Sequence, residues 1–263
     1  MLSYQHIFHA GNLADVHKHS LLAWMLAYLV QKDKPLSYIE THSGRGLYDL
    51  SDPAARKTGE AAKGISSTVD LLPPDHPYRR VLRTIQAKHG PPAYPGSPLI
   101  AAEILRPMDN IHLAELHPQE FAALKTAIKP YGGLSYQRDG WVVAQSICPP
   151  SPRRGLLLID PSYEIKTDYK TIPSFCAKLH RKWPVGLIVL WYPILTDKVH
   201  APMVRALRAA IPDSTAHEVS FPPARPGHRM VGSGLFVVNA PFGFGNAAAE
   251  ITKLFNSAHN DPM

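Results

Sequence analysis

The chain predicts an α/β fold built on a mostly parallel sheet with helices on both faces, and three observations carry that prediction. Leu156-Leu157-Leu158-Ile159 and Val185-Gly186-Leu187-Ile188-Val189-Leu190 are short, continuously apolar runs, as strands buried on both faces must be. Each run is followed by a proline, Pro161 or Pro193, which has no N–H with which to continue a ladder. Helix-period and strand-period segments alternate along most of the sequence, the order that builds βαβ units.

Composition narrows the class. The 263 residues, 45% of them hydrophobic, can bury a core as one large α/β domain, and residues 1–263 are expected to form one. Lys and Arg total 28 against 21 acids, and the net charge of +7 favours a polyanionic partner. Cys148 and Cys176 show neither metal-ligand spacing nor a disulfide framework, so a reducing cytoplasm is the expected setting. The first ten residues hold His6 and His9 and no signal-peptide core. Leu21 to Val30 is too short to span a bilayer, so no membrane association is expected.

In chain order, a helix is predicted from about Leu13 to Gln31, with Val16, Leu21, Leu22, Met25, Leu26, Leu29 and Val30 on a broad apolar face. Asp15, His17, Lys18 and His19 lie in its first turns, beside that core. Leu36 to Glu40 reads as a strand, and Thr41-His42-Ser43-Gly44-Arg45-Gly46 follows as a Gly-x-Gly loop. Such a loop is either a simple tight turn or a place where backbone approaches a ligand. From Tyr48 to Tyr94 the strand–helix alternation breaks off; this stretch reads as an inserted helical subdomain, with a helix near Tyr78 to Lys88. Its Arg79, Arg80 and Arg83 read either as phosphate contacts or as a solvated face. Ser97 either caps a helix from Leu99 to Arg106 or faces a ligand.

Strands are then expected at Asn110–Leu116, at Leu134–Gln137 and at the two apolar runs, the second ending at Pro193. Helices are expected at 119–128, 167–183, 196–211 and 246–259. His217–Phe221 and Gly234–Asn239 are candidate closing strands, separated by the basic loop Pro222–Arg229. Glu40, Glu115, Asp139 and Asp160 then stand one after each successive strand. Four acids in register suggest a nucleoside cradle at the carboxyl edge of the sheet. After the central run, Asp160-Pro161-Ser162-Tyr163 offers a carboxylate, a turn carbonyl and an aromatic ring. That set suits a planar base bearing an exocyclic amine: Tyr163 stacks on it, while Asp160 and the Pro161 carbonyl accept its hydrogens.

Taken together, these residues resemble the class I S-adenosylmethionine-dependent methyltransferases, in which Asp-Pro-Pro-Tyr marks adenine-N6 methylation. More closely, the sequence is similar to the RlmJ family, the 23S ribosomal RNA (adenine(2030)-N6)-methyltransferases. The similarity runs nearly end to end. It includes Met1-Leu2-Ser3-Tyr4, His9-Ala10-Gly11-Asn12, Ala14-Asp15-Val16, Lys18-His19, Thr41-His42, Tyr94 to Ala101, Glu115 to Pro118, Asp139-Gly140, Arg153-Arg154-Gly155, Thr167-Asp168-Tyr169 and Trp191-Tyr192-Pro193. The resemblance implies a Rossmann-like fold with a helical insertion at 48–94. It implies S-adenosylmethionine as cofactor (S-adenosylhomocysteine as product), with contacts at His19, His42, Ser97, Glu115, Asp139 and Gly140 and with Lys18 nearby; Gly44 of the Gly-x-Gly loop and the strand-end Asp160 complete the candidate cofactor set.

By the same resemblance Asp160 is the catalytic acceptor at the amine; Pro161 and Tyr163 join it as catalytic candidates on the residue reading above. The resemblance also implies that Tyr4 touches the RNA; His6 is a further RNA-binding candidate, and Arg153, Arg154, Arg225 and Arg229 are candidate phosphate contacts on their charge, with no metal expected. The implied partner is 23S ribosomal RNA, methylated before or without full ribosome assembly by a cytoplasmic monomer with no obligate protein partner. Ser162 departs from the family's second proline: the turn loses rigidity and gains an N–H, so the same chemistry is expected with altered geometry. The alternatives are a DNA adenine-N6 methyltransferase and an RNA-binding module of the same fold with weak turnover. The first would need a sequence-reading segment, and none is evident. The crowding of His6, His9, His17, His19 and His42 raises a metal enzyme as a further alternative, but the set lacks a His-x-x-x-His pair.

Overall fold

The computed structural model describes residues 4–260, so the Met1-Leu2-Ser3 part of the opening motif lies outside the described residues. Its strands are β1 (Ser37–Glu40), β2 (Leu47–Asp49), β3 (Ala93–Pro95), β4 (Asn110–Ala114), β5 (Leu134–Tyr136), β6 (Gly155–Ile159), β7 (Leu187–Leu195), β8 (Ser214–Ser220) and β9 (Met230–Val238). Seven of these form one sheet in the order β5-β4-β1-β6-β7-β9-β8. Every pair from β5 to β7 is parallel, and β9 runs antiparallel to both of its neighbours. This is the expected Rossmann-like, mostly parallel sheet. Chain order reverses between β1 and β6, so the crevice for a ligand opens above their carboxyl ends.

Helices cover both faces. Along β6, Leu156 and Leu158 pack into one core cluster and Leu157 and Ile159 into the other, which is why the run has no polar alternation. One cluster joins α1 (Leu13–Val30), α5 (Pro77–His89), α6 (Ser97–Ile104), α7 (Pro118–Ile128) and α11 (Phe244–Asn260). The other joins α8 (Gly140–Ile147), α9 (Asp168–Lys182) and α10 (His200–Ala210). Between β2 and β3 lie three short helices, α2 (Pro53–Thr58), α3 (Glu60–Lys63) and α4 (Ile65–Thr68), followed by α5. β2 and β3 pair antiparallel, with Tyr48 opposite Tyr94, so the two ends of this stretch close on each other.

Several elements depart from the sequence reading. α1 is not merely amphipathic: Asp15, His17, Lys18, His19 and Ser20 are all buried, because α5, α6, α11 and β9 surround its first turns. β7 continues through Pro193 to Leu195. Its pairing with β6 stops at Leu190, so beyond that point one flank of β7 is a sheet edge, where proline is tolerated. Residues 196–199 are not helical, and α10 begins at His200. α8 was not foreseen at all. Ser97 is not a cap: Gly96 occupies the N-cap position, and the Ser97 hydroxyl is used elsewhere. Both cysteines are free and buried, and among the described residues no helix is long and apolar enough to cross a membrane.

Leu157 sits at the centre of the sheet with no exposure. Leu157→Ala should destabilise the fold by about 2–5 kcal/mol. In urea unfolding this appears as a lower midpoint at unchanged slope, a cooperative loss rather than a loosened native state.

Candidate active site

A cavity of about 660 Å³ opens at the carboxyl edge of the sheet, within the ~300–1,000 Å³ range of small-molecule sites. Its walls come from the loops after β1, β4, β5 and β6, from the start of α1 and from Tyr4 and His6. All nine residues expected to hold a cofactor reach it, as do Asp160, Pro161 and Tyr163.

The chemistry is densest where α1 meets the end of β6. Lys18, 5% exposed, places Nζ 2.6 Å from Asp160 Oδ2 and 3.1 Å from Asp15 Oδ1. Burial alone would lower the pKa of this ammonium, but the two carboxylates outweigh it and hold the pKa raised. Asp15 is a hub. Its Oδ2 accepts from the backbone N–H of Gly11 at 2.9 Å, lies 2.9 Å from His6 Nε2, and accepts from the Tyr94 hydroxyl at 3.3 Å. Burial pushes the Asp15 pKa upward, yet the positive charge at His6 and Lys18 prevails and leaves it well below the usual carboxylate range. His6 in turn meets the Tyr4 hydroxyl through Nδ1 at 2.8 Å, and Tyr4 stacks on His9. A continuous line therefore runs from Tyr4 through His6, Asp15 and Lys18 to Asp160.

On the other side of the cavity the backbone forms a cradle. Glu115, immediately after β4, accepts from Gly44 N at 2.8 Å and from His117 N at 2.7 Å, and burial raises its pKa. Gly140 packs so closely on the loop after β1 that a Cβ there would lie 1.8 Å from the Thr41 carbonyl oxygen. Asp139 is the N-cap of α8, its Oδ1 accepting from Trp141 N at 2.8 Å and Val142 N at 3.1 Å. His42 lies edge-on to Trp141, with Nδ1 2.7 Å from the Thr41 hydroxyl; burial lowers its pKa to about 4.

Other placements correct the sequence reading. Glu40 is not part of the rim: it is fully buried and accepts from the Tyr38 and Ser97 hydroxyls, so only three of the four strand-end acids line the cavity. Burial raises its pKa to about 8, against the lowering effect of those two hydrogen bonds. His19 reaches the cavity floor but is otherwise engaged, Nδ1 lying 3.0 Å from the Tyr94 hydroxyl. Tyr163 is no open platform. Only 8% exposed, it packs against Tyr169 and Trp191, and its hydroxyl donates to the Trp191 carbonyl at 2.8 Å. It also adopts a left-handed backbone, φ 57°, a conformation costly for a residue with a Cβ and concentrated at functional sites. The neighbouring Ser162 is exposed on the cavity wall.

Arg153 and Arg154 are not brought to the cavity. They precede β6 and so lie at the amino edge of the sheet, opposite Asp160. Arg154 there braces the carbonyls of Leu29 and Lys34. Arg225 and Arg229 are exposed on the loop between β8 and β9; that loop contributes His228 and the start of β9 contributes Met230 to the cavity wall, and Arg229 pairs with Asp197. Sequence reasoning missed Asp15 and Trp191 as site residues, although the ring of Trp191 lies 5.5 Å from Lys18 Nζ. Among the described residues no three His, Cys, Asp or Glu side chains are grouped to hold a metal ion.

Residues 33–261 match the family model described as RsmJ: Ribosomal RNA large subunit methyltransferase D, RlmJ. The chain is 37% identical over 247 residues to ribosomal RNA large subunit methyltransferase J of Escherichia coli (strain K12), covering 92% of this chain and 88% of that protein. It is 36% identical over 248 residues to the protein of the same name in Haemophilus influenzae, with coverage of 92% and 88%. The crystal structure of LPL1258 from Legionella pneumophila str. Philadelphia 1 superposes with a TM-score of 0.86 at 35% identity, covering 96% and 94% of the two chains. The chain belongs to the RlmJ family. It is a ribosomal RNA methyltransferase of the S-adenosylmethionine-dependent class. The residues present fit that donor: a carboxylate held by two backbone N–H groups, glycines where backbone closes on the cavity, and room for a nucleoside with an amino-acid tail.

Two outcomes test this geometry. Glu115→Gln sets an amide N–H against a backbone N–H, and should weaken S-adenosylhomocysteine binding at least about ten-fold by calorimetry. Glu40, with its raised pKa, stabilises the folded protein fully below the unfolded carboxylate pKa, and that contribution is lost as pH rises through about 8. Wild-type stability should therefore decline from pH ~5 to ~8, and Glu40→Gln should flatten that decline in denaturant titrations at a series of pH values.

Proposed function

We propose that this protein methylates N6 of one adenine in 23S ribosomal RNA, adenine 2030 being the position the family resemblance implies. We further propose that it acts in the cytoplasm as a monomer on RNA that is not yet in, or is free of, an assembled ribosome. Residues 1–263 are read as one methyltransferase domain, with residues 48–94 as its insertion. The observation that carries the reading is the Lys18–Asp160 pair at the end of β6, opening into the same cavity as the Glu115–Gly44–Gly140 cradle.

The cofactor side is assigned to Lys18, His19, His42, Gly44, Ser97, Glu115, Asp139, Gly140 and Asp160. Glu115 suits ribose hydroxyls. Asp139 still has Oδ2 to offer an adenine amine after capping α8 through Oδ1. S-adenosylmethionine, when bound, supplies an electrophilic methyl on a positively charged sulfur.

The protein's task is to make a poor nucleophile available. The N6 lone pair of adenine is delocalised into the ring. Lys18 occupies Asp160 Oδ2 and fixes the carboxylate, so Oδ1 accepts one amine hydrogen while the Pro161 carbonyl accepts the other. Holding both hydrogens favours a pyramidal nitrogen whose lone pair points into the cavity, and catalysis is then alignment plus electrostatics. When nitrogen gains the methyl it must shed one proton, and Asp160 or water at that atom takes it. The adenine leaves its stack to enter the cavity, where Tyr4 and the edge of Tyr163 are the aromatic surfaces that receive it. Tyr4, His6, Arg225 and Arg229 lie on the side from which RNA approaches. Arg153 and Arg154 would meet only RNA reaching the far edge of the sheet.

Mapping N6-methyladenosine in 23S RNA from cells with and without the gene tests the function. The reading requires one adenine to lose its mark; an unchanged map, or incorporation into duplex DNA but not into 23S transcripts, rejects it. In vitro, Asp160→Asn should lower turnover by about 10²-fold or more. Asp15→Asn, which cannot accept from Lys18 and His6 together, should do likewise while S-adenosylhomocysteine affinity stays within a few-fold of wild type.

A further inference from the structure

A second line of polar side chains crosses the core behind the cavity, and one end of it is Trp191. The Trp191 indole Nε1 donates to Ser233 Oγ on β9 at 2.9 Å. Ser233 Oγ lies 2.8 Å from His17 Nδ1 on α1, and His17 Nε2 lies 2.9 Å from His217 Nδ1 on β8. His217 Nε2 is 2.9 Å from Thr252 Oγ1 on α11, which donates to the Ala248 carbonyl at 3.1 Å. Ser233 and His17 have no exposure, and His217 is half-buried.

The direction of every bond follows from the two ends together with the need to pair each buried hydroxyl proton. An indole N–H only donates, so Ser233 Oγ accepts it and gives its own proton to His17 Nδ1. His17 then carries its proton on Nε2 and passes it to His217 Nδ1, which forces the His217 proton onto Nε2, towards Thr252. The Thr252 proton goes to the Ala248 carbonyl. Reversing one histidine sets two protons, or two lone pairs, against each other; reversing both makes Ser233 Oγ accept twice and leaves its own buried proton without an acceptor along the thread. Burial lowers the pKa of both imidazoles and so favours the neutral form the thread requires. Leucine and valine would fill this space without the desolvation that these groups suffer, whereas a fully satisfied polar network fixes a single arrangement. What it fixes is Trp191: the ring that lies against Lys18, the carbonyl that holds the Tyr163 hydroxyl, and a wall of the cavity.

We propose that Ser233, His17 and His217 are positioning residues for methyl transfer. They lock Trp191 by a one-directional hydrogen-bond thread and, through it, hold Lys18 and Tyr163 in place. The proposal rests on the methyltransferase reading above, but two of its readouts do not need turnover.

The test uses the full-length protein. Nitrogen NMR near neutral pH should show both His17 and His217 as neutral Nε2–H tautomers; an Nδ1–H tautomer or an imidazolium at either overturns the thread. The indole N–H resonance of Trp191 should shift in Ser233→Ala and also in His17→Leu, two links away; an unmoved resonance in His17→Leu overturns it too. In kinetics with 23S transcripts, His17→Leu should lower kcat about ten-fold or more with KM for RNA and cofactor little changed. His17→Gln, which keeps one donor and one acceptor, should recover most of the rate. Equal rates for the two variants, or a wild-type rate in the leucine variant, contradict a positioning role. Should His17→Leu not fold, Ser233→Ala carries the kinetic test with the same criteria. An inactive wild-type chain with intact tautomers would reject the functional reading and leave the locking of Trp191 standing on the NMR outcomes.

Discussion

One ammonium, Lys18, shut between two carboxylates, is the constraint on which the site depends. A lysine with 5% exposure is tolerated only because Asp15 and Asp160 lie 3.1 Å and 2.6 Å from its nitrogen. Removing either carboxylate would leave an uncompensated buried charge, a larger penalty than the pair's net worth. The arrangement thus ties together three separate pieces of chain. Asp160 ends the central strand, Asp15 and Lys18 share a helical face at i,i+3, and His6 holds Asp15 from the N-terminal segment. An ion cluster of this kind stabilises the fold little, and its use is to hold one carboxylate in one orientation beside the cavity.

The fold explains why the cluster stands where it does. Chain order reverses at β1 and β6, so the loops after these strands diverge and leave a crevice above their carboxyl ends. β4 and β5 extend the sheet on the β1 side and contribute Glu115 and Asp139 to one end of the crevice; β7 on the other side contributes Trp191. α1 packs across one face with its first turns wholly enclosed, which brings Lys18 to the same edge as Asp160. The groups proposed for the cofactor and those proposed for the substrate therefore line one crevice on either side of Asp160.

Much of this was legible in the sequence, for identifiable reasons. The β6 run has no polar alternation because both of its faces are covered, and that leaves a direct trace in residue types. The strand-end acids after β4, β5 and β6 were legible because a parallel strand presents its next residues at the ligand edge. Glu40 failed the same rule: as the last residue of β1 itself it points into the core, where Tyr38 and Ser97 satisfy it. α8 was missed although Asp139 before an apolar run is an N-cap signal, because that aspartate was read only as a ligand group. Pro193 was read as a stop because a sequence does not say where a neighbouring strand ends. The amino-edge position of Arg153 and Arg154 follows from their standing before a parallel strand rather than after it, which their charge does not reveal. Asp15 shows in the sequence only as one of several polar residues in the first turns of α1 and as part of a family motif, neither of which says what it holds. Its role comes from Tyr94 and Asp160, brought to it by the fold from far along the chain.

The measurement that bears most directly on the central claim is the titration of Lys18 itself, followed through its side-chain nitrogen in the full-length protein. With Asp15 and Asp160 outweighing burial, the Lys18 ammonium should remain protonated through and beyond the ordinary lysine range of about pH 10.4, after exposed lysines have lost their protons. A Lys18 that titrates with the exposed lysines, or below them, would show that the two carboxylates do not hold its charge, and the proposed anchoring of Asp160 would fail with it.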